Sequence, residues 1–195
     1  MFALVENGSI TKFFNGNKGV SIGDTQYPKQ IFQWSNEELQ AIGIYPVRID
    51  GSNKKDENYY INTNIDYAVQ DNEVVGSYGT ATAKLLEDRN ATDEDGVELD
   101  PVVVIKGLKT IKKEMIDQQC AGLLAPSDWR VIKAKETGST MDSGWKTWRA
   151  SVRTKCNSMQ DQIDGATNVD ELKALFEYTE TDGVISRPLG EFPEK

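Results

Sequence analysis

The sequence predicts an α+β protein in which a small antiparallel β unit with one short helix precedes a helical hairpin or bundle of about three helices. Short apolar segments separated by turn residues fill the first 85 positions, whereas apolar residues recur every three or four positions after Ile105. A strongly acidic segment separates the two patterns. We therefore assign residues 1–86 to a mostly β domain, 87–101 to an acidic linker or loop, 102–180 to a helical domain and 181–195 to an irregular tail.

The β unit begins with the most specific local signal in the chain. Asn7-Gly8 lies between the apolar segments 2–6 and 9–14, and this dipeptide favours the positive φ angles of a two-residue hairpin. A second short hairpin is predicted over 20–27, and a strand pair over 65–69 and 74–82. Residues 45–49 are expected to be extended and 50–64 to form a loop.

One short helix is predicted inside the β unit. Ser35 followed three residues later by Glu38 matches a capping box, and Gly43 provides a helix stop. Trp34 immediately precedes the cap, where an aromatic ring can pack against the helix. We expect Trp34 to be part of the core.

The acidic segment holds seven Asp or Glu residues between positions 87 and 101. Its Asp93-Glu-Asp-Gly96 turn resembles part of a calcium loop, but the required register puts Val102 where a bidentate Glu is needed. An acidic, solvated turn is therefore the better interpretation, and we predict no metal site there.

Three helices are predicted after this segment. The first carries an apolar stripe from Leu108 to Leu124 and ends near Ala125, because Pro126 cannot continue it. The next follows Trp145 to Ile163, and Asn168 caps the last. Lysines 109, 112 and 113 are expected to face solvent. Residues 127–135 fit either a strand or a helix, and the pattern does not decide between them.

The apolar stripes also predict which aromatic side chains are buried. Leu123, Leu124 and Trp129, together with Trp145 and Trp148, are expected in the helical core. If Trp129 is buried, its replacement by Ala should cost about 3–5 kcal/mol of stability. Cys120 and Cys156 fit as small core residues, although a disulfide between them stays open.

Charge and composition exclude several functions. The net charge is −9 and residues 1–100 carry all of it, which disfavours binding to nucleic acid there. The chain contains no His, so Ser-His-Asp catalysis, Cys-His catalysis and imidazole metal ligation are excluded. No cofactor motif is present. A carboxylate pair for glycoside hydrolysis stays open, since that chemistry needs only two acids.

A group of basic residues in the second half is the main candidate for contact with a partner. Lys146, Arg149 and Arg153 share a face at helical spacing, and Lys155 lies close by. Four charges without interleaved exposed aromatic residues make a poor nucleic-acid footprint. We interpret them as a solvated or protein-facing stripe.

Several motifs together resemble bacteriophage tail-associated proteins, a group that includes tail-fibre assembly proteins and small virion proteins of marine phages. They are the opening hairpin, the segments 26–28, 34–39 and 42–47, and above all Leu123-Leu-Ala-Pro-Ser-Asp-Trp-Arg-Val-Ile132, followed by Trp148-Arg149 and Arg153. The resemblance covers most of the C-terminal half.

The resemblance implies a non-enzymatic structural protein of the phage tail, of the fibre, adaptor or baseplate type. Trp129, Arg130, Arg149 and Arg153 are the residues it marks for protein interaction. Partners would be tail or fibre proteins, with a homo-oligomer as an open alternative and no nucleic acid or membrane. The chain lacks a basic leader and any stretch of about 18 apolar residues, so folding in the host cytoplasm before incorporation into the virion tail is expected. Alternatives are a tail-fibre assembly chaperone absent from the virion, and a host-surface carbohydrate-binding module or glycosidase.

Overall fold

The computed structural model describes all 195 residues and confirms the α+β class. Helices account for 37% of the chain and strands for 27%. The chain divides into two compact units, Met1–Thr82 and Ala83–Lys195. None of the helices combines the length and the apolar character needed to cross a lipid bilayer.

The first unit is built around a five-stranded sheet. Its elements, in chain order, are β1 (Phe2–Glu6), β2 (Ser9–Phe14), β3 (Val20–Ile22), β4 (Thr25–Tyr27), a 3₁₀ turn (Lys29–Gln33), α1 (Asn36–Ala41), β5 (Ile44–Asp50), β6 (Tyr60–Ile61), β7 (Ile65–Gln70) and β8 (Glu73–Tyr78), and β9 (Thr82–Ala83) lies at the boundary between the units. The sheet has the order β2-β1-β5-β8-β7, and β3 pairs with β4.

Turn chemistry explains the hairpins of this unit. Asn7 and Gly8 have φ angles of 52° and 78°, and Glu6 pairs with Ser9 across them, so the predicted hairpin is confirmed. Asp71 and Asn72 also adopt positive φ, which closes β7 onto β8.

One strand pair differs from the antiparallel unit expected from the sequence. β5 and β8 run parallel, with Val47 opposite Val74. Parallel neighbours need a long connection, and residues 51–72 supply it, with β7 returning the chain so that β8 can align with β5. The sheet is therefore mixed, although its other pairings are antiparallel.

The capping box of α1 is confirmed, but the position expected for Trp34 is wrong. The Glu38 amide donates to Ser35 Oγ at 3.3 Å, and the Ser35 amide donates to Glu38 Oε2 at 2.9 Å. Ile31 in the preceding 3₁₀ turn is fully buried, whereas Trp34 is exposed and meets the Tyr27 ring edge-on. The 3₁₀ turn ends at Gln33, and Trp34 follows it with extended backbone, φ −68° and ψ 162°.

The second unit contains four α-helices rather than about three. Its elements are β10 (Arg89–Asn90), β11 (Val104–Ile105), α2 (Leu108–Leu124), a 3₁₀ turn (Ala125–Ser127), α3 (Asp128–Thr137), α4 (Ser143–Gly165), α5 (Val169–Phe176), β12 (Thr179–Thr181) and β13 (Val184–Ser186). Residues 127–135, for which strand and helix were both open, are helical: Ser127 ends the 3₁₀ turn and α3 covers Asp128–Thr137.

Helices α2 and α4 pack against each other and form most of the core of this unit. The side chains with no exposed surface include Ile116, Val152, Met159, Ile163, Leu172 and Leu189. Four of them lie on the apolar stripes that the sequence predicted for α2 and α4. Cys120 and Cys156 are buried free thiols, which answers the question of pairing.

Lys109, expected to face solvent, is buried and binds the start of the acidic segment. Lys109 is only 9% exposed, because its Nζ donates to Glu87 Oε1 at 2.5 Å and to the Asp164 carbonyl at 2.9 Å. The acidic segment therefore begins with an anchor on the helices. The amide of Gly107, just before α2, also donates to Asp88 Oδ1 at 2.7 Å, and this hydrogen bond holds the pKa of Asp88 below its ordinary value.

The last residues, predicted as an irregular tail, contain a hairpin and pack onto the unit. Asp182-Gly183 turns β12 onto β13 with φ angles of 53° and 77°. Leu189 is fully buried, and Lys155 Nζ donates to its carbonyl at 2.8 Å. The Asp-Gly turn signal was present in the sequence, so the short hairpin has a local cause.

Candidate interaction surface

Arg149 clamps the junction between α2 and α3. Its Nη1 donates to the Leu124 carbonyl at 2.8 Å and to Ser127 Oγ, and its Nη2 donates to Asp128 Oδ1 at 2.6 Å. Pro126 stops α2 and leaves carbonyls at its end without helical partners, so a donor is needed there. The guanidinium supplies it and joins both sides of the turn with one side chain.

The expectation that Arg149 faces a partner is therefore wrong. The residue is 5% exposed, and its hydrogen-bonding capacity is directed into its own chain. The cause is helical spacing, since Arg149 lies three residues before Val152 and seven before Cys156, both of them buried. Arg149 thus belongs to the inward face of α4, and a lone charge on an apolar stripe is the sequence signal for this position.

Trp129 was expected in the helical core, but it is exposed. Its surface is 52% accessible, and no side chain of α3 is fully buried. Arg130 and Ala134, four residues apart, are the half-buried positions, so they mark the side of α3 that faces the unit. Trp129 and Ile132 lie outside that side, which explains their exposure.

The outer face of α3 is unusually apolar for a surface helix. Ile132 is 57% exposed, and Trp129 and Val131 are exposed as well. Lys133 and Lys135 add positive charge to the same helix. We call the side chains of Trp129, Val131, Ile132, Lys133 and Lys135 the α3 face. Its large aromatic ring is of a residue type enriched at protein-binding surfaces, whereas lysine is more common elsewhere on protein surfaces.

Cation–aromatic contacts hold Trp129 in place although it is exposed. The Arg130 guanidinium lies 4.6 Å from the Trp129 ring centroid and 4.5 Å from that of Trp145. Trp145 has two further contacts. Lys195 Nζ lies 4.5 Å from its ring centroid, and the Trp148 ring meets it edge-on with the centroids 5.6 Å apart. Each such contact contributes about 0.5–1 kcal/mol at an exposed site. The Trp129 ring is thus restrained before any partner binds.

Trp145 and Trp148 are half-buried, so the core position expected for them holds only in part. The Trp148 Nε1 donates to the Pro193 carbonyl at 3.0 Å, which ties the end of the chain to α4. A half-buried tryptophan commonly packs one side of its ring against the protein while its indole N–H donates a hydrogen bond. These rings serve as the support on which Arg130 is placed.

A shallow hollow of about 160 Å³ lies beside Trp129. Its lining comprises Trp129, Arg130, Lys133, Ala134, Ser139, Thr140, Met141 and Asp142. Sites for small molecules usually enclose about 300–1,000 Å³, so this hollow is too small for most cofactors. Its size matches that of a single amino-acid side chain.

Arg153 is exposed on α4, one helical turn beyond Arg149. Its Nη1 reaches only the Arg149 carbonyl, at 3.4 Å, and it forms no salt bridge. Arg130 and Trp129 lie together on α3, whereas Arg149 is buried below the junction. The four candidate residues of the sequence therefore do not form one surface.

The buried thiol of Cys156 is not an activated nucleophile. Burial, together with the nearby Cys120 thiol and Asp117 carboxylate, raises the pKa of Cys156 to about 12. A thiol is nucleophilic only as its thiolate, so Cys156 stays inert near neutral pH. No group of three or more Cys, Asp or Glu side chains is arranged to hold a metal ion.

No family of known proteins matches the chain, and neither the curated proteins nor the solved structures contain a match.

Proposed function

We propose that this chain is a non-enzymatic structural protein of a phage tail, of the fibre, adaptor or baseplate type, that binds other tail proteins through the α3 face. One observation carries the protein-binding part of the proposal. A short helix with no buried side chain presents Trp129 at 52% exposure and Ile132 at 57%. The tail assignment rests on the resemblance of the Leu123–Ile132 motif to tail-associated proteins.

The geometry of the α3 face suits a binding hot spot. Energetically dominant interface residues are enriched in Trp and Arg and are surrounded by contacts that exclude water. Here the Trp129 ring is already restrained by Arg130, so less conformational entropy is lost when a partner covers it. The adjoining hollow offers a place for one partner side chain.

Protein mass spectrometry of purified particles tests the virion assignment. We expect the chain at a fixed copy number in mature particles of the phage that encodes it. Its absence from particles, together with co-purification of a fibre protein from lysates, would assign it to assembly rather than to the virion.

A matched pair of variants tests the role of the α3 face. Ile132→Asp should reduce incorporation into particles at least tenfold, because a buried carboxylate without a partner disfavours the contact. Ile185→Asp, on the exposed hairpin of the same unit, makes the same chemical change elsewhere and should be incorporated normally. Equal incorporation of both variants would contradict a role for α3.

A carbohydrate-binding module is the second candidate, because Trp129 borders a hollow with the polar side chains Ser139, Thr140 and Asp142. Titration of host polysaccharide while Trp fluorescence and reducing sugar are followed separates the two functions. A saturable fluorescence change that Trp129→Ala abolishes would favour the sugar; no change in either signal would exclude it.

A further inference from the structure

A second exposed apolar surface lies in the same unit as the α3 face. It is formed by residues 93–104, which follow β10 and end with the first residue of β11, and we call it the acidic strip. Its exposed apolar side chains are Val97, Leu99, Val102, Val103 and Val104. Val97 alone is 62% exposed. Clusters of this kind on a protein surface indicate a contact with another molecule.

Backbone hydrogen bonds give the acidic strip a defined shape. The Ala91 amide donates to the Val103 carbonyl at 2.7 Å, and the Leu99 amide donates to the Ala91 carbonyl at 3.1 Å. The Asp93 amide donates to the Val97 carbonyl at 2.8 Å, which closes the turn. The apolar side chains of the strip are therefore displayed from a folded backbone, as those of α3 are.

The two surfaces carry opposite charge. The strip, residues 93–104, contains five acidic residues and no basic residue. Helix α3 carries three basic residues, Arg130, Lys133 and Lys135, against the acids Asp128 and Glu136, and Asp128 is paired with Arg149. The five acids of the strip, Asp93, Glu94, Asp95, Glu98 and Asp100, form no salt bridge. Lys133 and Lys135 on α3 also form none. Each surface thus has unpaired charge that the other complements.

We propose that the acidic strip of one copy of this chain binds the α3 face of a second copy. This inference rests on the proposed function and specifies one of its protein partners. Both surfaces are exposed within the same unit, so each is free to bind another molecule. Apolar side chains form the centre of the contact, with Trp129 and Ile132 against the valines of the strip, and acids and lysines surround it.

Charge argues against the two symmetric alternatives. A contact between two α3 faces would bring lysines against lysines, and a contact between two strips would bring carboxylates together, which is unfavourable in both cases. The remaining arrangement is head-to-tail, in which each copy uses different surfaces toward its two neighbours. Such contacts close into a ring when the rotation between copies permits it, and otherwise form an open filament.

Two single-surface variants test the head-to-tail contact. Ile132→Asp removes the apolar centre of the α3 face, and Val97→Asp removes that of the acidic strip. Sedimentation velocity on the wild-type chain should show oligomers, whereas each variant alone should sediment as a monomer. A 1:1 mixture should form a dimer and nothing larger, because the variants share one intact pair of surfaces. Ile185→Asp, the control, should assemble as the wild type does.

Each outcome bears on the proposal. A wild-type chain that stays monomeric at about 100 µM, far above the micromolar Kd of a weak specific contact, would overturn it. Self-assembly of the Val97→Asp variant alone would also overturn it, since the strip of that variant is no longer apolar at its centre. Raising the salt concentration should weaken wild-type assembly, because the charged rim is screened. Thermal unfolding of both variants should match that of the wild type, which excludes misfolding as the cause.

These results are separable from the tail assignment. A monomeric chain that is nevertheless found in particles removes only self-association. A self-assembling chain that is absent from particles removes only the virion role.

Discussion

Replacement of Arg149 by Ala is the sharpest test of how the second unit is held together. The substitution removes a side chain that is 5% exposed and that contacts the end of α2, the 3₁₀ turn and the start of α3 at once. The Ser127 hydroxyl would then lose its donor, and the Leu124 carbonyl would keep only the hydrogen bond from Ser127 Oγ, at 2.8 Å. Asp128 would lose its cation.

The magnitude follows from the burial of the groups left behind. Removing one partner of a buried ion pair costs about 3–5 kcal/mol, because the other charge stays buried and unpaired. The Asp128 side chain is 56% exposed, so water can solvate its carboxylate once Arg149 is gone. The lost hydrogen bonds from a charged donor still contribute about 1.5–3 kcal/mol. We therefore expect Arg149→Ala to lower the free energy of unfolding by about 2–3 kcal/mol.

Urea unfolding followed by far-UV circular dichroism measures this loss, with Arg153→Ala as the matched control. Arg153 lies one turn further along α4 but is exposed, so its replacement should change stability by less than about 0.5 kcal/mol. Arg149→Lys should fall between the two, because an ammonium keeps the charge but not the planar set of donors. If Arg149→Ala unfolds at the same urea concentration as Arg153→Ala, the hydrogen bonds of Arg149 do not stabilise the junction between α2 and α3.

Three further predictions use other features of the second unit. Gly107→Ala should destabilise by about 2–3 kcal/mol in thermal unfolding, since an added Cβ would lie 2.4 Å from the Glu87 carbonyl carbon. Gly122→Ala, inside the helix α2 that Gly107 precedes and facing open space, should stabilise by about 0.5–1 kcal/mol. Burial raises the pKa of Cys156 to about 12 from an ordinary 9.0. The unfolded chain therefore releases this proton first, and the free energy of unfolding should fall as pH rises from 9 toward 12. Urea titrations at several alkaline pH values measure this slope, which Cys156→Ser should reduce. Trp129→Ala should change the melting temperature little, corresponding to a loss of less than about 1 kcal/mol of stability, because the ring is half exposed. A loss of about 3–5 kcal/mol would instead show that the Trp129 side chain is buried in solution.

Local signals in the sequence predicted the parts of the fold that depend on neighbouring residues. The Asn7-Gly8 hairpin needs only the backbone freedom of two residues, and the capping box needs only Ser35 and Glu38 three positions apart. The long stripe of α4 is likewise a periodic property of one segment. These features are set within a few turns of chain, so their residues suffice to indicate them.

The candidate site was harder to predict because it depends on how separate segments meet. Helical spacing shows which residues share a face, but it does not show which face is covered. The helical pattern therefore placed Arg149 outside and Trp129 inside, the reverse of the structure, and only the resemblance marked Trp129 for contact with a partner. The direction of β8 relative to β5 and the capture of Lys109 by Glu87 depend on contacts between distant segments in the same way.

The exchange of roles between Arg149 and Trp129 is itself the physical argument for an interface on α3. A helix of ten residues without a fully buried side chain gains little from apolar burial, and short helices are marginal without it. Here the Arg149–Asp128 ion pair fixes the start of α3, and Gly138 in the left-handed conformation ends it. Because these terminal contacts hold the helix, its large apolar side chains are not needed to hold it against the core. Their exposure on a restrained helix is the observation on which the proposed contact with another protein rests.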